Sequence, residues 1–564
     1  MTYHNSLAIG RSALFASQAA IQIAGHNLAN AATPGFHRRS IHLLPAGGGV
    51  IGNRMYMGNG VQVGQINREI DLALQARWRA SISREHSLAV DQQFLIALET
   101  LQNELGEDDL SSALDSFFGS FSSLANAPSD SSLAALALQQ GEVLAGRLQE
   151  LMAEYVTLDG QVSESVGATV SACNELLESI AILNSEIGAA EGNGQEASEL
   201  RDQRDLLIDQ LSVHVDIEVV EQPGGMVDLR IGSTSILLGD QSLGLAVEEH
   251  VVDGVSQLSL HAGEHGALVQ LDGGTLHGLF RQHGETIAPA MDTLNQLAAG
   301  LIHHVNRLHS QGQGSSGWAT LTGTVRVGDT AAALNDTAAA AIAPIGNGEF
   351  TIHLRDPETG EVTDSFTIPV DGDAMSLENL VTSIDALTGG QVTASVNGNG
   401  QLQLEAPDGL ELTFSNDTSG ALAGLGVNTF FTGTDAASIG VHQSLLDDSD
   451  LLAIGQGNVI GSADTALSIA QLGETELELL GGTGITAFWR TAVGTLAVRT
   501  SANAGVFESA ALVREGLGMQ LQTVSGVSID EESINLMAYE RQFEAAARYL
   551  AVVDETLETL MNLV

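Results

Sequence analysis

Three histidines close together in the sequence, His303, His304 and His309, are the first candidates for metal chemistry. Imidazole nitrogens bind Zn²⁺ and related ions, but a site generally needs three or four ligands at suitable spacing. No carboxylate stands at ligand spacing near these histidines, and they border a helical pattern of apolar residues. We therefore expect a solvated or packed helix face here, and we predict no metal site and no cofactor.

Two other segments have residue types that could hold a ligand. The run Asp447-Asp448-Ser449-Asp450 carries the oxygen ligands that calcium prefers, but it lacks the glycine and the distal glutamate of a calcium loop. Helix capping or a plain acidic turn is the preferred interpretation. The glycine run at 47–49 precedes no helix, so it offers no argument for a phosphate site. The single cysteine, Cys173, lies on an apolar helical pattern and is interpreted as a buried small hydrophobe rather than a reactive thiol.

Catalytic motifs are missing from the sequence. It contains no G-x-S-x-G, H-E-x-x-H or C-x-x-C segment. All 21 cationic residues are arginines, so lysine chemistry is excluded. A run of alternating charge is interpreted as a solvated helix face. Its members are Glu199, Arg201, Asp202, Arg204, Asp205 and Asp209. We therefore predict that the protein is not an enzyme.

Composition limits the classes of partner. The 564 residues carry a formal net charge of −49, which disfavours nucleic acid and anionic membrane surfaces because both require a basic face. With 44% hydrophobic residues the chain is expected to fold rather than remain disordered. No stretch approaches the length of apolar sequence needed to span a bilayer, and no cleavable leader is expected.

The two ends of the chain have the clearest helical pattern, with apolar residues recurring every three or four positions. The apolar positions are Leu7, Leu14, Ile21 and Leu28 in the first segment, and Ile529, Leu536, Tyr539, Phe543, Ala546, Leu550, Val553, Leu557 and Leu560 in the last. The first series alternates with Gly10, Ser17, Ala24 and Ala31, which leave room for the side chains of a second helix. Either the two terminal helices pair and serve an assembly, or each packs on its own domain core.

The rest of the chain suggests a nested organisation. We predict a mainly α fold with a β insert, elongated and multidomain, with the terminal helices paired in a coiled-coil-like core. The predicted domains are 1–65 with 525–564, 66–318 with 441–524 including a strand-rich patch at 213–283, and an outward β-rich insert at 319–440. After the first helix, Thr33-Pro34-Gly35-Phe36 suits a type II turn.

Three motifs together resemble the bacterial flagellar rod, hook and hook-associated protein family. The first ends in Asn27, Asn30, Thr33, Pro34, Gly35 and Phe36, the second spans 526–548, and the third contains Arg201, Asp202, Arg204 and Asp205. The middle of the chain is similar to the hook-associated members. The resemblance implies a ring at the hook–filament junction, outside the cell, assembled from protein exported without a cleaved signal peptide. It also implies several partners, namely further copies of the chain, the hook protein, a second hook-associated junction protein, and an export chaperone on the C-terminal helix.

Two alternatives to a structural adapter of the hook–filament junction stay open. The chain could instead be a hook or distal rod protein of the same apparatus, although the long helical section at 66–310 argues against it. A secreted enzyme displayed on a flagellar scaffold would need a catalytic cluster in the insert. The sequence of the insert shows only aspartate, asparagine and glycine turns.

Overall fold

The computed structural model describes residues 2–47, 49–51, 55–104, 106, 109–192, 195–252, 255–336, 345–459 and 461–562. Gly48 of the glycine run and the last two residues of the predicted terminal domain lie outside these ranges. The fold is 56% helical with 17% strand, which confirms the predicted mainly α class with a β insert.

Helices make up most of both ends and of the middle of the chain, and they range from 4 to 61 residues. They are α1 (Thr2–Ala29), α2 (Leu72–Gln102), α3 (Leu110–Asn126), α4 (Ser131–Glu191), α5 (Ser198–His214), α6 (Gly274–Arg281), α7 (Ala288–His309), α8 (Leu377–Leu387), α9 (Ala421–Gly424), α10 (Gln443–Asp447), α11 (Asp464–Gln471), α12 (Ile485–Ser525) and α13 (Ile529–Met561). A π-helical turn, Gln282–Ile287, connects α6 to α7.

The strands are short and cluster in three parts of the chain. They are β1 (Arg39–Pro45), β2 (Gly49–Ile51), β3 (Met55–Met57), β4 (Val61–Arg68), β5 (Glu218–Glu221), β6 (Val227–Ile231), β7 (Thr234–Leu238), β8 (Gln241–Ser242), β9 (Leu245–Val252), β10 (Val255–Ala262), β11 (Thr320–Thr322), β12 (Gly348–Arg355), β13 (Val362–Val370), β14 (Thr393–Val396), β15 (Leu402–Glu405), β16 (Glu411–Ser415), β17 (Phe431–Thr432) and β18 (Gly440–Val441). The strand-rich patch and the insert were both expected from their alternating patterns and turn dipeptides.

The chain divides into two compact units, one of residues 1–93, 162–284 and 502–564, the other of 94–161 and 285–501. In the first unit, β1 pairs antiparallel with β4, β5 to β8 form a four-stranded sheet in sequence order, and β9 pairs with β10. In the second, the sheets have the orders β11-β15-β14 and β13-β12-β16, with a short β17–β18 pair. The three-part division made from the sequence stays a prediction.

The buried face of α4 follows the expected spacing in its first half, where Leu148, Tyr155 and Val162 are fully buried as predicted.

In its second half one of the two alternating series keeps its predicted positions and the other moves by one residue. Cys173, Ile180 and Ile187 are fully buried as predicted. Leu176 and Leu183 are only half-buried, and their neighbours Leu177 and Asn184 take the core positions.

Helix α4 also contains the one segment of the described chain that is long and apolar enough to cross a membrane, with a mean hydropathy of 1.3. The sequence was expected to contain no such segment. This property concerns only the length and the composition of the helix, and core helices of proteins without membrane spans share it.

One element boundary and one whole element differ from the sequence-based expectation. The helix expected from residue 66 begins at Leu72, because β4 continues to Arg68 and the Asp71 carboxylate then accepts a hydrogen bond from the Leu74 amide (3.0 Å). Within the insert, α8 was not predicted. Ser376 caps it by accepting a hydrogen bond from the Asn379 amide (3.2 Å).

Candidate assembly site

Helices α1 and α13, which we call the terminal helix pair, pack against each other in antiparallel orientation. Gly10 lies against Leu550 near one end, and Asn27 lies against Glu532 near the other. A Cβ atom added to Gly10 would lie 2.6 Å from Cγ and from Cδ2 of Leu550. The leucine therefore occupies the hole that the missing side chain leaves, as the alternation of large and small residues predicted. The interpretation with paired termini is confirmed.

The centre of the terminal helix pair is lined by small side chains, and the larger apolar residues flank it. The buried positions are Gly10, Ala16, Ser17, Ala20, Ala24, Ala546 and Val553. Half-buried positions are Leu7, Leu14, Ile21, Leu28, Leu536, Tyr539, Leu550 and Leu557. Ile529, Phe543 and Leu560 are exposed in the single chain, at 59%, 37% and 43%. Small residues let the backbones approach closely, so part of the predicted apolar seam is left without cover.

A group of hydrogen bonds fastens the N-terminal motif to the C-terminal motif. The Asn27 amide side chain exchanges two hydrogen bonds with the Arg39 backbone (2.9 and 3.0 Å) and donates a third to Glu532 (3.2 Å). Arg38 donates from Nε to the other oxygen of Glu532 (2.8 Å). Glu532 is 3% exposed, so these donors replace the hydrogen bonds that water would give its carboxylate. Asn27 is thus a structural residue that joins both ends of the chain.

The turn after α1 has the predicted type II geometry. Gly35 has φ of +74°, and the Phe36 amide donates to the Thr33 carbonyl (3.2 Å). Asn30 continues the helix end by donating to the His26 carbonyl (3.0 Å) and accepting from the Thr33 hydroxyl (3.3 Å).

The aromatic ring of Phe36 contacts the guanidinium group of Arg39. The guanidinium carbon of Arg39 lies 5.4 Å from the Phe36 ring centroid, within the range of a cation–π contact. On either side of Arg38, His37 and Arg39 reach α5, where His37 lies 2.7 Å from Asp202 and Arg39 3.5 Å from Glu199.

The interpretation of the alternating charge run as a solvated face is wrong for most of its members. Arg204 is 1% exposed, Asp205 6% and Asp202 7%. Together with Arg68 and Arg79 they form a buried group that we call the arginine–aspartate cluster. Arg68 donates to Asp202 (3.0 Å) and Asp205 (2.7 Å), whereas Glu199 of the same run is exposed as expected.

The other members of the run complete this cluster or bind beside it. Arg79 donates to Asp209 (2.6 Å), and the His37 ring pairs with Asp202 (2.7 Å). Arg201 binds Glu191 through two nitrogens (2.7 and 2.6 Å). Arg204 donates to the Gly225 carbonyl (2.6 Å) and to Asn184 of α4 (3.1 Å). The cluster thereby connects the segments around residues 37, 68 and 79 to α4, α5 and the strand-rich patch.

Burial and opposing charge act against each other in the cluster. Burial raises the pKa of Asp205, but the charges of Arg68, Arg79 and Arg204 outweigh it and hold that pKa below its ordinary value. Burial lowers the pKa of Arg204 to about 10. Arg68 loses solvation too, yet Asp205 and Asp202 together raise its pKa. The fold therefore stabilises the ionised forms of Asp205 and Arg68, whereas burial disfavours the ionised form of Arg204, which stays charged at neutral pH because its pKa of about 10 lies above 7.

One signal in the sequence could have revealed the cluster. Arg204 stands at the start of an apolar helical series that continues through Ile208, Leu211 and Val215, all fully buried. A charged residue on a core stripe implies a buried partner. Arg204 donates to Asn184 and Gly225, and the neighbouring Asp205 pairs with Arg68 and Arg79, which are more than 100 positions away along the chain, so no local pattern names them.

Among the residues first considered for chemistry, His309, Asp448 and Cys173 have structural roles. His309 is fully buried, donates from Nδ1 to the Asn428 carbonyl (2.8 Å) and accepts at Nε2 from the Ala453 amide (3.0 Å). Burial lowers its pKa to about 4. Asp448 caps a short 3₁₀ turn by accepting from the Asp450 amide (3.0 Å). Cys173 is fully buried, and burial raises the pKa of its thiol to about 12.

Two family models of flagellar proteins match parts of this chain. The family model for the C-terminal region of flagellar basal body rod FlgEFG proteins matches residues 522–563, which contain α13. The model for the flagellar hook-associated protein FlgK helical domain matches residues 95–323.

Relatives and a solved structure agree with these matches. The chain is 24% identical to flagellar hook-associated protein 1 of Salmonella typhimurium and of Escherichia coli, over 98% of its own length and of theirs. It is 30% identical to the Bacillus subtilis protein of that name over 43% of the chain and 50% of the relative. The flagellar hook junction protein FlgK from Burkholderia pseudomallei shares the fold, with a TM-score of 0.50 at 17% identity, over 80% of this chain and all of that one.

These findings confirm the family resemblance drawn from the three motifs. The chain is similar from end to end to flagellar hook-associated protein 1, and it is a structural component of the flagellum. Because the relatives are structural proteins, the prediction that the chain is not an enzyme is confirmed.

Proposed function

We propose that this chain is a ring-forming adapter that joins the flagellar hook to the filament, outside the cell. The observation that carries the proposal is the terminal helix pair, whose apolar seam is only partly covered within one chain. Phe543 and Leu560 of the seam are exposed, and next to the seam Val552 is 58% exposed and Tyr549 42%. A neighbouring copy that covers such residues gains about 25 cal/mol per Å² of buried apolar area.

The partners follow from the same surface. Copies of the chain in the ring, the hook protein on one side and a second junction protein on the other would cover the exposed side of the terminal helix pair. Before assembly an uncovered amphipathic helix is an aggregation hazard, which gives an export chaperone a reason to bind α13. Export without a cleaved leader belongs to this proposal.

The alternatives are weaker. A hook or distal rod protein would share the terminal helices, but the helical domain at 95–323 matches the hook-associated model and favours the junction. A displayed enzyme finds no support in relatives that are structural proteins.

The test compares three single substitutions on α13, expressed in cells that lack the native chain. Val552→Asp alters an exposed apolar position and is expected to leave the monomer folded but to abolish incorporation and filament growth. Ala551→Asp is the matched control, because this exposed residue lies on the helix face that carries Glu544, Glu555 and Glu558. It should assemble normally.

Leu550→Asp is also expected to prevent incorporation, but for a different reason, because it removes the side chain that fills the space beside Gly10. Monomer helicity by circular dichroism separates the two causes, because only Leu550→Asp should lower it. Normal incorporation of Val552→Asp would contradict the proposal.

A further inference from the structure

The β9–β10 hairpin carries a group of histidines around one carboxylate. The register pairs Glu248 with Ser259 and Ala246 with His261. Because side chains alternate between the two faces of a strand, Glu248, His250 and His261 point to the same face of the hairpin. His265 follows in the turn after β10, and its ring reaches the same carboxylate.

The spacing of the ligand atoms suits one tetrahedral metal ion. Oε2 of Glu248 lies 3.5 Å from Nε2 of His250 and 3.8 Å from Nε2 of His261, and Oε1 lies 3.2 Å from Nδ1 of His265. One ligand atom from each of Glu248, His250 and His261 falls within 4.8 Å of the other two. Two ligands bound to zinc at about 2.1 Å are roughly 3.4 Å apart in a tetrahedron. Glu248, His250 and His261 therefore need only small movements, whereas the exposed ring of His265 lies near Oε1 and must turn toward the ion.

The orientation of His261 is already set as a metal ligand requires. Its Nδ1 lies 3.1 Å from the Gly266 carbonyl and donates a proton to it, which leaves the lone pair of Nε2 directed toward Glu248. A backbone carbonyl that receives the second ring N–H is the usual outer partner of a metal-bound histidine. The Ser259 hydroxyl, 3.1 Å from the same Nε2, can donate to the Glu248 carbonyl (3.2 Å) when a metal takes the ring nitrogen.

The base of the hairpin is held firmly, so the site has a fixed frame on one side. Asn174 of α4 donates to the Leu245 carbonyl (2.9 Å) and accepts from the Leu245 amide (2.7 Å). The Glu248 side chain is 30% exposed and that of His261 17%, whereas His250 and His265 are open to solvent at 58% and 91%. An ion can therefore enter from the solvent side and bind a preformed pair before the two exposed rings close on it.

We propose that Glu248, His250, His261 and His265 bind one zinc ion. Three imidazoles and one carboxylate are ligands for Zn²⁺ and related transition metals, whereas Ca²⁺ and Mg²⁺ prefer oxygen ligands throughout. The ion bridges β9, β10 and the turn that follows, and so stiffens a hairpin whose base Asn174 of α4 holds.

The experiment titrates ZnCl₂ into the full-length protein without a polyhistidine tag, by calorimetry, and repeats the titration with CoCl₂ to record the absorption bands of tetrahedral cobalt. His261→Ala and Glu248→Gln are the test variants. His42→Ala is the matched control, because the chain has 16 histidines and His42 is an exposed strand histidine outside the cluster. Circular dichroism checks that all variants fold.

The expected result is one zinc per chain, with affinity at least tenfold weaker in both cluster variants and unchanged in His42→Ala. Tetrahedral cobalt bands should be lost in the cluster variants, and zinc should slow hydrogen exchange across 245–262. The proposal is overturned if the unmodified chain binds no zinc, if Ca²⁺ or Mg²⁺ binds as tightly, or if the cluster variants bind zinc as the unmodified chain does.

Discussion

Asp205→Asn is the substitution expected to damage the first unit most selectively, because it removes one carboxylate charge from the arginine–aspartate cluster. Removing one partner of a buried ion pair costs about 3–5 kcal/mol, since the other charge stays buried. Two features place the cost at the lower end, about 3 kcal/mol. Arg68 keeps Asp202 at 3.0 Å, and Arg79 keeps Asp209 at 2.6 Å. The lowered pKa of Asp205 also predicts a loss of stability in Asp205→Asn, because it shows that the fold favours the ionised carboxylate.

The control is Glu199→Gln, the same carboxylate-to-amide change on the same helix. Glu199 is 71% exposed at its side chain and pairs with Arg39 at 3.5 Å, so its loss should cost less than about 1 kcal/mol. The assay is hydrogen exchange of peptides from α5 followed by mass spectrometry, with α7 of the second unit as an internal reference. Unfolding of the whole chain is a poorer measure, because two units need not unfold in one step. Equal effects of the two substitutions on α5, or no effect of Asp205→Asn, would refute the argument from burial.

Two further predictions follow from other parts of the structure. Gly10→Val should destabilise the terminal helix pair by roughly 1–3 kcal/mol, because its Cβ meets Leu550, and adding Leu550→Ala should recover much of that loss. Hydrogen exchange of α13 in the double-mutant cycle measures this, and strictly additive effects would contradict it. His309 has a pKa of about 4 when folded and 6.5 as a free side chain, so its contribution is fully present above pH 6.5 and is lost as the pH falls toward 4. At pH 5 the loss is about 2 kcal/mol, and unchanged opening of α7 between pH 7 and pH 5 would count against it.

The helices and their apolar faces could largely be predicted from the sequence. The terminal series, the buried position of Cys173 and the turn at Thr33-Pro34-Gly35-Phe36 all follow from local spacing and residue type. These features depend on the helical period and on the backbone preferences of proline and glycine, which are properties of neighbouring residues.

Which part of each apolar face is covered could not be predicted in this way. Gly10 and Ala24 were expected to leave room for the other helix and are buried in the pair, but Phe543 and Leu560 were expected on the same seam and are exposed. The distance between two helix axes is set by the smallest side chains that come opposite each other, and that depends on both helices at once.

The sequence by itself determined a mainly helical protein with amphipathic ends, no lysine and no motif for catalysis. Only the tertiary structure decided that Asp202, Arg204 and Asp205 are buried and that Glu248 meets His261 and His265. The physical reason is that a charged helix face looks the same in sequence whether water or Arg68 and Arg79 surround it. Burial of a charge is decided by the residues that distant parts of the chain bring to it.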